Sequence, residues 1–148
     1  MRPRVARCLV HAALVLTVLH HLAHLAHLVR RDHIGWPASA EFNACSFGLL
    51  AYPLILGGLV LFRAGRAGPL YWVLVSGPGP LLLAAVHLGP TAVEPPRDVL
   101  EPYETNAVGV LALAVLMALL GVVAASFVYE VRAWRRERRA AHADRGAR

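Results

Sequence analysis

Four long apolar runs constrain the fold of this chain more than any other feature. They cover approximately residues 8–29, 44–62, 69–88 and 105–129, and together they take up more than half of the 148 residues. A helix needs about 20 apolar residues to cross a bilayer core of roughly 30 Å. The runs leave no room for a soluble domain of any size. The sequence therefore predicts a single all-α membrane domain, 1–148, with four transmembrane helices.

Arginine sets the predicted orientation of these helices, because all fifteen basic residues are arginine. Three lie within the first seven residues, two in the connection between the second and third runs, and seven in the tail 130–148. The other two connections hold only Arg30, Arg31 and Arg97. Basic residues concentrate on the cytoplasmic side of a membrane. We therefore predict that both termini are cytoplasmic and, from the short connections, that the four helices form an antiparallel bundle.

The same composition bears on localisation and on binding partners. The chain has neither lysine nor glutamine, which is typical of a GC-rich bacterial genome and favours a multi-pass protein of a bacterial plasma membrane. The first run is long and lacks a small-residue cleavage site, so we expect a retained helix rather than a signal peptide. Topology accounts for the basic residues, so we predict no nucleic-acid binding. The expected partners are the lipid bilayer and either another membrane protein or a second copy of this chain.

The third run is interrupted near its centre by Gly77, Pro78, Gly79 and Pro80. Proline has no backbone N–H and clashes with the preceding turn, so it breaks or kinks a helix. The sequence predicts that the third helix is broken over Gly77–Pro80. Such breaks are more often kinks than binding elements, although discontinuous helices also form transporter sites.

Histidines are the candidate functional residues. His20, His24 and His27 fall within about 60° of one another on a helix, near the end of the first run. Ionisable groups at membrane depth usually face a bundle interior or a cavity. With the predicted topology, further polar residues from the other three helices reach the same outer-leaflet pocket. The candidate metal ligands are His20, His24, His27, His87, Glu41 and Glu104.

Two kinds of cofactor fit this residue set. Neutral imidazole binds zinc, copper, iron or nickel, and a carboxylate from Glu41 or Glu104 can complete the ligand set. Haem is the other hypothesis, with His24 or His27 facing His87. A structural interpretation also stands, because the repeat of histidine every three residues precesses around a helix instead of keeping one face.

The sequence contains no pattern that points to an enzyme. It has no nucleophile–base pair, no carboxylate pair placed for hydrolysis, and no CxxC, phosphate-loop or dinucleotide fingerprint. Three function hypotheses remain open. The first is a non-enzymatic accessory or structural protein of the plasma membrane. The second is a metal- or haem-binding membrane protein that uses the histidine cluster, and the third is an oligomeric proton or ion transporter.

Overall fold

A computed structural model describes residues 4–30, 49–90, 92, 95–100 and 106–146, and these residues form helices and connections with no strand among them. The two longest helices begin and end the described chain. The prediction of an all-α protein is confirmed. In chain order the helices are α1 (Arg4–Arg30), α2 (Ala51–Arg63), α3 (Pro69–Ser76), α4 (Pro78–His87), α5 (Pro96–Leu100) and α6 (Asn106–Gly146).

Three helical segments are long and apolar enough to cross a membrane: Arg4–His24, Pro69–His87 and Ala107–Gly146. The second of these consists of α3 followed by α4. The predicted second span is shorter in its described part, because the 13 residues of α2 rise only about 20 Å. The beginning of that run, 44–48, lies outside the described residues. Three of the four predicted spans are thus supported by length and composition.

The predicted break in the third run is confined to one residue. Gly77 keeps helical backbone angles (φ −64°, ψ −52°), and its N–H donates to the carbonyl of Val73 at 2.8 Å. Pro78 begins α4, where the missing proline N–H has no consequence because the first turn of a helix leaves its N–H groups unbonded. The interruption is therefore narrower than the predicted Gly77–Pro80, since both prolines belong to the first turn of α4.

Close contacts between glycines and α6 show how the last two spans run. A Cβ added to Gly79 would lie 2.9 Å from Val123 Cγ1, and one added to Gly77 would lie 3.2 Å from Phe127 Cε2. Gly79 follows Gly77 in the chain, whereas its neighbour Val123 precedes Phe127. The α6 helix therefore runs antiparallel to α3 and α4. Glu130 therefore lies on the side of Gly77 that is away from His87.

Buried positions among the described residues are as often polar as apolar. Long side chains such as Leu81, Leu111 and Val60 are more than half exposed on the outside of the bundle. This distribution suits a helix bundle in lipid, where apolar side chains face outward and costly polar groups are kept inside. The buried polar residues are Thr17, His20, His24, Ser76, His87, Ser126 and Glu130.

Gly58 lets α2 approach α3. The two helices are joined by a tight turn in which Gly65 has a φ of +70°, and Tyr71 donates a hydrogen bond to the carbonyl of Leu54 at 2.5 Å. A Cβ at Gly58 would lie 2.5 Å from Tyr71 Cε1 and 2.6 Å from Trp72 Cη2, whereas Gly57 has nothing within 4 Å of such an atom. Of the two glycines, Gly58 is therefore the one that allows the close contact between α2 and α3.

Candidate metal centre

Three histidines from two membrane segments meet inside the bundle. Each offers one ring nitrogen, and these nitrogens all lie within 4.8 Å of one another. The Nε2 atoms of His20 and His24 are 3.0 Å apart. All three rings are buried, with exposed fractions of 8% for His20, 9% for His24 and 2% for His87. We call these three residues the histidine cluster.

The helices bring the cluster together for simple geometric reasons. His20 and His24 are four residues apart on α1, so they lie one above the other on the same face. His87 is the last residue of α4. Residues near the beginnings of α1 and α3, Ala6 and Trp72, line one small pocket together. The two spans therefore start at the same level, and residues about 21–27 Å further along each helix meet at the other end.

The distances suit a single metal ion. Imidazole nitrogens bind zinc at about 2.0–2.1 Å, which places the nitrogens of a tetrahedral site about 3.3 Å apart. The His20–His24 separation of 3.0 Å is close to this value. The ligand atoms of the whole set lie within 4.8 Å of one another, so an ion that binds all three would draw the rings together by up to about 1.5 Å.

The arrangement of the rings favours an ion over haem. The ring centroids lie 4.5 Å apart for His20 and His24, 5.2 Å for His20 and His87, and 5.7 Å for His24 and His87. The His20 ring stands nearly perpendicular to both of the others, at 88° and 83°. A haem between His24 and His87 would need its flat macrocycle in the space beside both rings, where His20 lies.

His21 lies beside the cluster, with its ring centroid 5.7 Å from that of His20, and it contacts α2. Its Nδ1 lies 2.7 Å from the hydroxyl oxygen of Tyr52, and that hydroxyl donates to the carbonyl of Thr17 at 3.3 Å. The Tyr52 oxygen can accept the Nδ1–H of His21 at the same time. This pair joins α1 to α2 beside the cluster and supports the orientation of α1 rather than adding a fourth ligand.

The remaining predicted ligands are not placed by the structure. His27 belongs to α1, but its side chain is outside the described part of the chain. Glu41 and Glu104 also lie outside the described residues. Of the six predicted metal ligands, the structure therefore brings together His20, His24 and His87.

Tyr52 and Glu130 are site residues that the sequence analysis missed. Tyr52 stands near the beginning of an apolar run and carries no pattern of its own. Glu130 was assigned to the cytoplasmic tail, yet it is only 3% exposed. A signal for Glu130 did exist, because it continues the spacing of the buried α6 residues Leu116, Leu119 and Ser126 on one helix face.

A cleft of about 480 Å³ runs along the bundle from the cluster toward Glu130. Side chains from α1, α2, α3, α4 and α6 line it. The histidines lie at one end and Ser126 and Glu130 toward the other, while the walls between them are mainly apolar. Lining residues of the middle section include Leu9, Val10, Ala13, Leu54, Leu83 and Val123.

Comparison of the chain with protein-family models, with curated proteins and with solved structures found no match. The class of this protein therefore follows from its own fold and site. It is an all-helical protein with three helices able to cross a membrane. Inside the bundle it holds a buried three-histidine cluster at one end of an apolar cleft.

Proposed function

We propose that this chain is an integral membrane protein that binds one transition-metal ion through His20, His24 and His87. The observation that carries the proposal is the convergence of three buried ring nitrogens within 4.8 Å of one another. Neutral imidazole is the commonest metal ligand in proteins, and one ion can bind all three of these rings at once.

His11 provides an internal comparison on the same helix. Its Nδ1 donates to the carbonyl of Arg7, one turn earlier, at 2.7 Å. This is the local hydrogen bond that a histidine can make on α1 without any other residue. The Nε2 atoms of His20 and His24 are instead within hydrogen-bond distance of each other, at 3.0 Å, and the same two atoms can bind a shared ion once neither carries a proton. The third ring, His87, within 4.8 Å of both favours a metal site over the accessory or structural role that led the sequence-based hypotheses, since a hydrogen bond between two rings needs only a pair.

The ligand set favours Zn²⁺ or Cu²⁺. Imidazole nitrogens suit both ions, and Cu²⁺ has the higher intrinsic affinity for a given nitrogen site. Three protein ligands leave a fourth position open, as in zinc sites that bind water or substrate, whereas structural zinc sites are closed by four protein ligands. The cleft begins at the cluster, so we place this open position toward the cleft.

The middle of the cleft argues against the transport hypothesis. Ser126 and Glu130 line the far end and could attract a cation there. Between them and the histidines, however, the walls are mainly leucine, valine and alanine side chains, which offer an ion no replacement for its hydration shell. We therefore favour binding at one end of the cleft over conduction along it.

The arginine distribution supports a bacterial plasma membrane with both termini in the cytoplasm. In this topology α2 belongs to the second of four spans, and the histidine cluster lies in the outer half of the bilayer. Reporter fusions after residues 90 and 148 test the assignment. We expect an external signal at the first position and a cytoplasmic signal at the second, and the opposite pair would invert the topology.

Metal analysis tests the proposed function. The protein is purified in detergent through a tag without histidine, incubated with Zn²⁺ or Cu²⁺, passed through a desalting column and analysed for bound metal. We expect one ion per chain, and loss of that ion in His20→Ala, His24→Ala and His87→Ala. His11→Ala is the matched control, because it removes a histidine from α1 without touching the cluster. A folded protein that retains neither ion, or binds them equally well in all variants, would refute the proposal.

A further inference from the structure

The shape of the cleft indicates what kind of molecule could share it with the ion. Its lining residues on α1 extend from Ala6 to His24, a rise of about 27 Å. Its volume of about 480 Å³ is that of a site for one small ligand. A site about 27 Å long that holds one small ligand suits one extended hydrocarbon chain.

The cleft opens sideways, toward the lipid. Leu50, Leu54 and Leu82 line it, yet their exposed fractions are 59%, 49% and 63%. Side chains that contact both the cleft and the outer surface mark an opening between helices. A hydrocarbon chain can enter through such an opening from the bilayer without passing through water.

The two ends of the cleft differ in charge, which distinguishes between possible head groups. At one end the histidine cluster would hold a divalent cation with an open position. At the other end Glu130, a buried acid, lines the cleft. An oxygen-donor anion is attracted by the first end, where the ion offers it an open position.

We infer that the cleft binds the single hydrocarbon chain of a long-chain carboxylate, whose head group occupies the open position of the ion held by the histidine cluster. This inference rests on the proposed function, since the head group binds the ion. The ligand class is thus a single-chain anionic lipid. The apolar walls of the cleft select among such lipids by chain length.

Cobalt-substituted protein tests the head-group contact. Co²⁺ replaces Zn²⁺ because its visible absorption responds to a change of ligand, whereas d¹⁰ zinc has no such bands. The protein is kept in a non-ionic steroid-glycoside detergent, which has neither a carboxylate nor a straight hydrocarbon chain to compete with palmitate. Palmitate should change the Co²⁺ spectrum with saturation at one equivalent. Palmitate methyl ester and acetate, which lack the free carboxylate and the chain respectively, should not do so at the same concentration.

A pair of variants tests the chain site independently of the metal. Ala13 lines the cleft about 10 Å along α1 from His20, so Ala13→Phe should fill it without touching a ligand. Val15 is not among the lining residues and is 57% exposed, so Val15→Phe adds the same ring on the outside. We expect Ala13→Phe to weaken palmitate binding at least about tenfold while Co²⁺ binding is unchanged. Val15→Phe should bind both normally.

The outcomes separate the two proposals. If wild-type protein binds Co²⁺ but palmitate leaves its spectrum unchanged, the lipid inference is wrong and the metal site stands. If Ala13→Phe binds palmitate as well as wild type, the chain does not lie in the cleft. If no ion binds at all, the proposed function fails, and uptake of the fluorescent cis-parinarate by wild type but not by Ala13→Phe would still support a chain site.

Discussion

Replacement of Gly58 by alanine should push α2 and α3 apart, because it adds a methyl group at a close contact between the two helices. A Cβ at this position would lie 2.5 Å from Tyr71 Cε1 and 2.6 Å from Trp72 Cη2, almost 1 Å closer than an ordinary van der Waals contact. Both atoms belong to rigid aromatic rings, so two rings would have to move together to admit the Cβ. Overpacking of this kind typically costs about 1–3 kcal/mol.

Gly57 is the matched control for this substitution, because a Cβ there meets nothing within 4 Å. In a helix interior, replacement of glycine by alanine is favourable by about 0.5–1 kcal/mol. That gain applies to both variants, so Gly58→Ala should have a net cost of about 0.5–2 kcal/mol while Gly57→Ala is stabilised. The two variants should therefore differ by about 1–3 kcal/mol although they have the same composition.

Unfolding in mixed micelles measures this difference. Detergent-solubilised protein is titrated with sodium dodecyl sulfate, and tryptophan fluorescence, which includes Trp72, is followed for wild type and both variants. We expect the midpoints in the order Gly57→Ala, wild type, Gly58→Ala, from most to least stable. Equal midpoints for the two variants would show that α2 does not pack against α3 through Gly58.

One further prediction concerns the site. Tyr52→Phe removes the partner of His21 and should lower stability by about 1 kcal/mol. It should leave the metal stoichiometry at wild-type level, and loss of the ion would mean that this contact belongs to the metal site.

Hydrophobic length and proline chemistry predict most of the fold, because they act locally. The apolar runs became α1, the α3–α4 segment and α6. The extent of the break at Gly77 was overestimated, since a proline pair can also serve as the first turn of a new helix. The spacing of His20 and His24 predicts their contact directly, as it depends only on the helical repeat.

Long-range contacts could not be predicted in the same way. The approach of His87 to the cluster followed from the topology, but its 2% exposure depends on how the two spans pack. The hydrogen bond between His21 and Tyr52 joins helices whose relative rotation no local pattern fixes. Glu130 was assigned to the tail by its charge, whereas its burial depends on the packing of α6 within the bundle.

The hydroxyl groups in the cleft do not call for a polar ligand of their own. Thr17 donates to the carbonyl of Ala13 at 2.7 Å, and Ser76 donates to that of Trp72 at 2.6 Å. Each is satisfied by its own helix, one turn back. Ser126 Oγ has no hydrogen-bond partner among the described residues, but the same rotation toward the preceding turn is open to a serine in a helix.

The orientation of a bound anion is therefore decided at the histidine end of the cleft. The rise from Gly77 to His87, together with that from Phe127 to Glu130, places Glu130 about 20 Å from the histidine cluster along the bundle. The open position of the ion lies at the histidine end, so the bond to the ion holds the carboxylate there. At an effective dielectric constant of about 20, two unit charges about 20 Å apart interact by only about 0.8 kcal/mol, so Glu130 is too distant to affect a carboxylate bound at the ion. Glu130→Gln should therefore leave both the metal and palmitate bound, and loss of palmitate binding in this variant would mean that the head group lies at the Glu130 end.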